Sequence, residues 1–486
     1  MTDLAPVAAV VVLAAGGGTR MKSKKSKVLH EIAGKAMLSY SVSAAAALDP
    51  RHLVVVVGHR REQVLEHLER LDDGVQTAVQ DEQRGTGHAV QCGLEGLEHI
   101  EGDVVVTYAD VPMLTGATLR QLVAVHRSKG NAVTVMTANV DDPSGYGRVL
   151  RDGDRVRGIV EHKDATEEQR RIREINSGIY VFDAATLRAG LANLDTDNVQ
   201  GELYLTDVLT YANGHGKQVG AYVIDDVWQT EGVNDRVQLA RMNAEMNRRI
   251  LDEWMMNGVT MIDPTSTWVD VDVDLAPDVI LHPGTILQGA TTIGEGAEIG
   301  PSTTLMDVEV GPGAQVLRTH GSFAVIGEGA VVGPFSYLRP GTILGAEGKI
   351  GAFVETKNAT IAKHAKVPHL AYVGDAIIDE DANVGAGTIF ANFDGDKKSV
   401  THLGKTAFIG SNSVLVAPVD IGDGAFVAAG STVTEDVPAG GLAVARGRQH
   451  NAEGWVGKRR PGTKWDEAAR DSTNTVHPSV IESREK

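Results

Sequence analysis

Between Ile293 and Val433 an aliphatic side chain returns at every sixth position. One run is Ile326, Val332, Leu338, Leu344 and Ile350; a second is Ile361, Val367 and Val373; a third is Leu403, Ile409, Leu415, Ile421, Val427 and Val433. A helix repeats at about 3.6 residues and a half-buried strand at about 2, so a sustained six fits neither as a continuous element. It predicts a solenoid. Short strands joined by sharp bends point each sixth side chain inward, and pairs such as Ile409-Gly410 and Ile421-Gly422 supply the bends. A rod of stacked coils does not fold its flanks into itself, so the preceding and following segments are expected to be separate modules.

Upstream the pattern changes. Val7 to Leu13, Leu53 to Val57 and Val104 to Thr107 are continuous aliphatic runs, which suit strands buried on both faces of a parallel sheet. Helical patterns, such as Leu38 to Leu48 and Arg61 to Leu71, lie between them, so the first half reads as an α/β doubly wound, Rossmann-like domain. From Asp235 to Asn257 the spacing is helical again. Val237, Ala240, Ala244, Leu251 and Trp254 form one stripe, and Gly258 is placed to end the helix. The expected modules are 1–234, a linker helix over 235–258, the solenoid over 259–455, and a charged tail over 456–486 that lacks the six-residue pattern and is expected to be mobile.

At 486 residues the chain is long enough for two or three domains. A net charge of −18 argues against general affinity for nucleic acid or a membrane surface, while leaving room for small anions at local basic clusters. The single cysteine, Cys92, excludes an internal disulfide framework and points to a reducing cytoplasm. The apolar run at Val7 to Ala15 follows Asp3, with no Lys or Arg before it, so it does not read as a signal peptide, and no stretch is long and apolar enough to span a bilayer.

Ligands of doubly wound sheets sit beyond the carboxyl ends of the strands, and the motifs follow the strands. After the first comes LAAGGGTRM, Leu13 to Met21, followed by Lys22, Lys24, Lys25 and Lys27. Gly16, Gly17 and Gly18 let backbone N–H groups approach phosphate oxygens, and Arg20 and Lys27 add charge-assisted bonds. Gln80, Gly85 and Thr86 follow a short strand pattern ending at Val79. Tyr108-Ala109-Asp110 ends the third strand, where an aspartate suits Mg²⁺, an ion that keeps waters and takes one or two protein oxygens plus phosphates.

LAAGGGTRM with KVLH, GTGHA, YADVP, GYGR, EHKDAT, EINSGIY and EGVN, in this order, resembles the sugar-nucleotide pyrophosphorylases. Joined to a hexapeptide solenoid, which is similar to the left-handed parallel β-helix of many acyltransferases, the chain resembles a bifunctional family over about Val7 to Trp455. Its members combine N-acetylglucosamine-1-phosphate uridylyltransferase with glucosamine-1-phosphate N-acetyltransferase. The resemblance implies that Leu13, Ala14, Ala15 and Gly16 line the nucleotide site, that Arg20 and Lys27 handle the triphosphate of UTP, and that Gln80, Gly85 and Thr86 read uracil. It implies Tyr108 in the site for UTP and the sugar nucleotide, Gly147, Glu161 and Asn176 around the sugar, and Asp110 with Asn234 on Mg²⁺. Ala109 replaces a glycine usual before this aspartate, and Ser26 a proline usual before Lys27; loss of the proline is expected to leave the Lys22 to Lys27 loop less preorganised.

A run of polar residues breaks the solenoid pattern between Arg339 and Lys398. Arg339, Lys357 and Lys398 suit a phosphate, and Tyr372 and Asn383 suit sugar hydroxyls. His369 is a general base for an attacking amine, with Glu355 to orient its ring. The family resemblance puts glucosamine-1-phosphate on these residues and acetyl-coenzyme A along Ala386, Asn392, Phe393, Ser411, Ala429 and Arg446. Phe393 stands where the family usually has Tyr, and Gly447-Arg448 also departs. The family implies a homotrimer with acetyl sites at subunit boundaries. Two other readings stand beside this one: a zinc site using His364 and His369 with His320 or His402, and a solenoid that serves only for oligomerisation.

Overall fold

The structure is a computed structural model that describes residues 5–71, 74–97 and 99–472. The aliphatic runs form the centre of one mixed sheet. Its strands are β1 (Ala9–Ala14), β2 (Leu53–Val57), β3 (Gln76–Val79), β4 (Asp103–Tyr108), β5 (Val133–Asn139), β6 (Arg148–Asp152), β7 (Arg155–Val160), β8 (Glu174–Asp183) and β9 (Val219–Ile224). The main order is β9-β5-β8-β4-β1-β2-β3, with the β6–β7 hairpin attached to β8. β8 runs antiparallel to both β4 and β5, so the sheet is not wholly parallel. β1 and β2 are buried along their whole length, which is why they read as unbroken apolar runs rather than alternating ones.

Helix α1 (Arg236–Met256) leaves this domain. The Asp235 carboxylate caps it by accepting from the N–H groups of Val237 and Gln238, both at 2.9 Å, and Gly258, with φ +99°, follows its end. The expected stripe holds only over the C-terminal part of the helix. Leu251 is buried and Trp254 packs on the core as expected, but Val237, Ala240 and Ala244 face solvent, and Met242, Asn247 and Ile250 are buried in their place. The helix is gripped from two sides. Met242 joins Ile32, Met37 and Val233, whereas Ile250 and Leu251 pack on the first solenoid coil, so partners in two modules set the register.

The sixth-position aliphatics all point into one continuous core, and Ile326, Val332, Leu338, Ile350, Val367, Leu403, Ile409 and Ile421 are wholly or almost wholly buried. Their strands form three parallel ladders, one in a separate sheet and two joined by strands that bend round a corner, such as Glu355–Ile361 and Tyr372–Ile378. The result is a prism-shaped parallel β-helix spanning Thr260 to Ala443. Ser413 and Thr388 turn their hydroxyls onto the carbonyls of Gly410 and Gly385, which satisfies the polar groups at buried corners. Residues 392–400 loop out of the coil between Ile389 and its partner Val414 and carry Lys398 to the surface.

The first part of the expected tail carries helical structure. Trp455–Arg459 and Lys464–Asp471 are helical, with the Arg460 guanidinium over the rings of Trp455 and Trp465 and the buried Asp466 accepting from Gly462 N–H at 2.8 Å. These contacts are local and need no six-residue repeat. Residues 473–486 lie outside the described residues. Among the described residues no helix is long and apolar enough to cross a membrane.

Candidate functional site

The loops beyond β1, β3 and β4 enclose a cavity of about 340 Å³ lined by Leu13, Ala14, Ala15, Gly16, Lys27, Gln80, Gly85, Thr86, Tyr108, Asp110 and Asn234. All of these were expected from sequence. Gln83 and Glu202 line it too and were not. Gln83 donates to the Ala15 carbonyl at 2.7 Å, a position its place beside GTGHA could have signalled; nothing local marks Glu202. A second cavity, of about 450 Å³, shares Thr86, Tyr108, Asp110, Glu202 and Asn234 and adds Arg20, Gly147, Glu161 and Asn176. The residues expected at the nucleotide and those expected at the sugar thus face two adjoining spaces with Asp110 at the join.

Lys27 Nζ lies 2.5 Å from Asp110 Oδ2 and 3.2 Å from Asn234 Oδ1. Both oxygens therefore face one point. A pair of hard oxygen donors beside open space for phosphates and water fits Mg²⁺. Ala109 is fully buried with negative φ and donates to the Leu13 carbonyl at 3.0 Å, so the absent glycine costs no strain. Ser26 has φ −56° and ψ 142°, the conformation a proline would impose, and its N–H donates to Gln63 Oε1 at 2.8 Å. Gln63 and Arg60 also bond the carbonyls of Lys24 and Lys25, so contacts from the Arg61–Leu68 helix and the residue before it hold the loop in place of proline stiffness.

Gln80 is buried, and its Nε2 donates to the Gly85 carbonyl at 3.1 Å, which turns the amide oxygen away from that carbonyl. Asn176 Oδ1 accepts from Gly178 N–H and Tyr180 O–H, both at 2.9 Å, leaving its amino group as the free donor. Burial, then the charges of Asp164 and Asp207, push the Glu161 carboxyl above its ordinary range. Burial, with Asp110 and Glu161 nearby, raises the Tyr108 phenol and keeps it protonated.

On the solenoid, Arg339, Lys357 and Lys398 converge. The Lys357 ammonium is held below its ordinary range by Lys398 first, then by Arg339, a mutual repulsion that a phosphate would relieve. Tyr372 lies across Gly374, where an added Cβ would be 2.5 Å from the phenol oxygen and 2.7 Å from Asn392 Nδ2, so residues assigned to the two acetyl-transfer substrates adjoin. Asn392 Nδ2 donates to Asp375 Oδ2 at 2.5 Å. Asn383 sits one coil along from Lys366, on the ladder that carries His369. Ala386, Ser411 and Ala429 line one corner, stitched by bonds from Asn412 to the Ala386 carbonyl and from Gly430 to the Ser411 carbonyl, and Arg446 reaches Gly430. Phe393 is exposed.

Within the single chain Glu355 makes no bond to His369. Its Oε1 accepts from Arg339 Nη1 at 2.9 Å, because ladder register puts it beside Tyr337 and Tyr372 rather than the imidazole. His369 is exposed, and its ring has no hydrogen-bond partner among the described residues of the single chain. The zinc reading also loses support: among the described residues no three His, Cys, Asp or Glu side chains cluster as a metal site, and His364 lies between Glu347 and Asp381 whereas His402 lies between Asp379 and Asp420.

Residues 10–177 match the MobA-like NTP transferase domain, and residues 401–435 match the bacterial transferase hexapeptide (six repeats). Bifunctional GlmU proteins of Corynebacterium efficiens and Corynebacterium jeikeium are 54% and 55% identical to the chain, each across 96% of it and 97% of their own length. The corresponding protein of Mycolicibacterium gilvum is 56% identical across 95% of the chain and 94% of its own. With both modules matched and the full two-module length shared, the chain belongs to the bifunctional GlmU family.

Proposed function

We propose that the solenoid acetylates glucosamine-1-phosphate with acetyl-coenzyme A, and that the α/β domain then transfers uridylyl from UTP to N-acetylglucosamine-1-phosphate, releasing pyrophosphate. The product is UDP-N-acetylglucosamine, a precursor for peptidoglycan and the cell envelope. The observation that carries the reading is the meeting of Lys27, Asp110 and Asn234 between a nucleotide cavity and a sugar cavity.

In the uridylyl step the sugar-1-phosphate oxygen attacks the α-phosphorus of UTP, and the bond to pyrophosphate breaks. The nucleophile is already an anion, so the chain has to align it and offset charge rather than move protons. Asp110 and Asn234 would hold Mg²⁺, which supplies charge neutralisation when bound. Lys27 and Arg20 bind phosphate oxygens, and the Gly16–Gly18 turn brings backbone N–H groups close. The Gln80 amide and the Gly85–Thr86 backbone read the uracil edge, and Gly147, Glu161 and Asn176 hold the sugar.

In the acetyl step the amine attacks the thioester carbonyl and its proton passes to His369; the C–S bond then breaks and His369 returns the proton to the departing sulfur, so coenzyme A leaves as the thiol. Arg339, Lys357 and Lys398 hold the sugar phosphate, with Tyr372 and Asn383 on its hydroxyls. Asn392, Ser411, Ala429 and Arg446 give the coenzyme an extended track. Because Glu355 is engaged by Arg339 and His369 stands open, the ring is oriented by a second chain in a homotrimer. Phe323, Phe335, Phe353 and Leu370, exposed by 54–60%, support such packing, and the Phe335 and Phe353 rings already stack at 5.3 Å. Work on UTP and acetyl-coenzyme A suits the cytoplasm.

The test supplies glucosamine-1-phosphate and acetyl-coenzyme A, then UTP and Mg²⁺, and follows free thiol and pyrophosphate separately. His369→Ala is expected to lower thiol release about 10²- to 10⁴-fold while pyrophosphate release from supplied N-acetylglucosamine-1-phosphate continues. Asp110→Ala is expected to do the reverse. Acetylation that survives His369→Ala would leave the solenoid as an oligomerisation module.

A further inference from the structure

The GYGR motif ends in a residue that none of this chemistry employs. We infer that Arg148 is a positioning residue for the sugar-1-phosphate: a buried guanidinium that ties the segments bearing Gly147, Glu161 and Asn176 into one cup. The inference rests on the sugar assignment above.

Arg148 is 1% exposed. A cation at that depth ordinarily sits on a carboxylate, but among the described residues none lies within ion-pair distance of it. Its donors go to neutral acceptors instead. Nη1 bonds the Tyr146 carbonyl, Nε and Nη2 both reach the Arg170 carbonyl at 3.4 Å, and Nη2 lies 3.3 Å from His162 Nδ1. Burial, then the charge of Arg170, pushes the guanidinium below its ordinary range, with Asp142 acting the other way.

Two of the three acceptors adjoin the sugar residues in sequence, and the third lies between them and Asn176. Tyr146 precedes Gly147, His162 follows Glu161, and Arg170 ends the helix Glu167–Arg170 that follows VEHKDAT. The Arg148 backbone pairs with Ile175, and the next residue, Asn176, donates its N–H to the Gly147 carbonyl at 2.9 Å. An apolar side chain would fill the same space without the cost of burying a charge. What the guanidinium adds is a rigid fan of donors that ties its own segment, at Tyr146, to two others, at His162 and Arg170. Because Arg148 only donates, His162 Nδ1 presents its lone pair and the proton sits on Nε2. An asparagine at 162 could offer its amide oxygen in that place; a leucine could not.

The experiment uses the full-length protein and measures pyrophosphate release, varying N-acetylglucosamine-1-phosphate at saturating UTP and the converse. Loss of one bond to a buried cation predicts that His162→Leu raises the sugar-phosphate KM about tenfold. The UTP KM and kcat should stay within about twofold, and His162→Asn should recover most of the loss. Arg148→Met should match or exceed His162→Leu, and the 162 pair decides the matter if Arg148→Met fails to fold. An unchanged sugar KM in His162→Leu, an equal rise in the UTP KM, or no recovery with asparagine would each overturn the inference. Asn176→Ala separates the two levels. If it raises the sugar KM while His162→Leu does not, the positioning role falls and the sugar assignment stands; if it too has no effect, the assignment itself falls.

Discussion

Replacing Gly85 by alanine should disable uridylyl transfer while sparing acetyl transfer. Gly85 has φ +110° and ψ 175°, a region that essentially only glycine occupies, and forcing alanine there costs about 1–3 kcal/mol. The added Cβ would also lie 2.5 Å from the Leu203 carbonyl oxygen and 2.8 Å from its nitrogen. Those are backbone atoms held by two bonds of 2.8 Å, from Leu203 N–H to the Arg84 carbonyl and from Gly87 N–H to the Leu203 carbonyl, so they cannot swing aside as a side-chain end could. Relief means breaking at least one of these bonds, at about 1 kcal/mol net. The combined cost is about 3 kcal/mol, concentrated where Gln80 Nε2 meets the Gly85 carbonyl. If binding UTP must restore that geometry, kcat/KM for UTP falls about a hundredfold. The assay is coupled pyrophosphate release with UTP varied, beside thiol release from acetyl-coenzyme A on the same preparation. A UTP kcat/KM within about threefold of the parent, with the chain folded, would refute the reasoning.

Three further outcomes follow from other parts of the structure. The Asp226 carboxylate receives Arg249 Nη1 and Nη2 at 2.6 and 2.8 Å, and those bonds, offset by burial, hold it below its ordinary range. The stability it adds is therefore present above about pH 4 and is lost as pH falls through the lowered value, so the thermal stability gap between parent and Asp226→Asn should close in acid. Ser26→Pro keeps a compatible φ but loses the bond to Gln63; a gain of about 0.4–1 kcal/mol from a stiffer unfolded chain nearly cancels a loss of about 1, so the UTP KM should stay within about twofold. Ile409→Ala removes a wholly buried sixth-position side chain and should cost about 2–5 kcal/mol, read as a lower urea midpoint for the solenoid transition.

The sequence by itself determined the repeat, the strands and the loops that carry chemistry. A six-residue period has one structural solution, with the sixth side chain inward, and fully buried strands leave apolar runs that can be read directly, as at Ala9–Ala14 and Leu53–Val57. The motifs stood at strand ends because backbone groups and side chains can reach a ligand there. What depended on distance in space was decided only by the tertiary structure. Lys27 and Asn234 are 207 positions apart and share a contact, Glu202 enters the cavity beyond β1, β3 and β4 with no local signal, and Arg148 gathers acceptors from segments that do not announce one another. Helix α1 kept Leu251 and Trp254 of its apolar stripe inward but turned Met242, rather than Val237, Ala240 or Ala244, to the core because two modules pack on it at once. Glu355 went to Arg339 because register between coils, rather than spacing along the chain, chooses a side chain's neighbour. Periodicity is local and survives in one dimension, whereas partnership between loops is fixed only when the sheet and the coils bring them together.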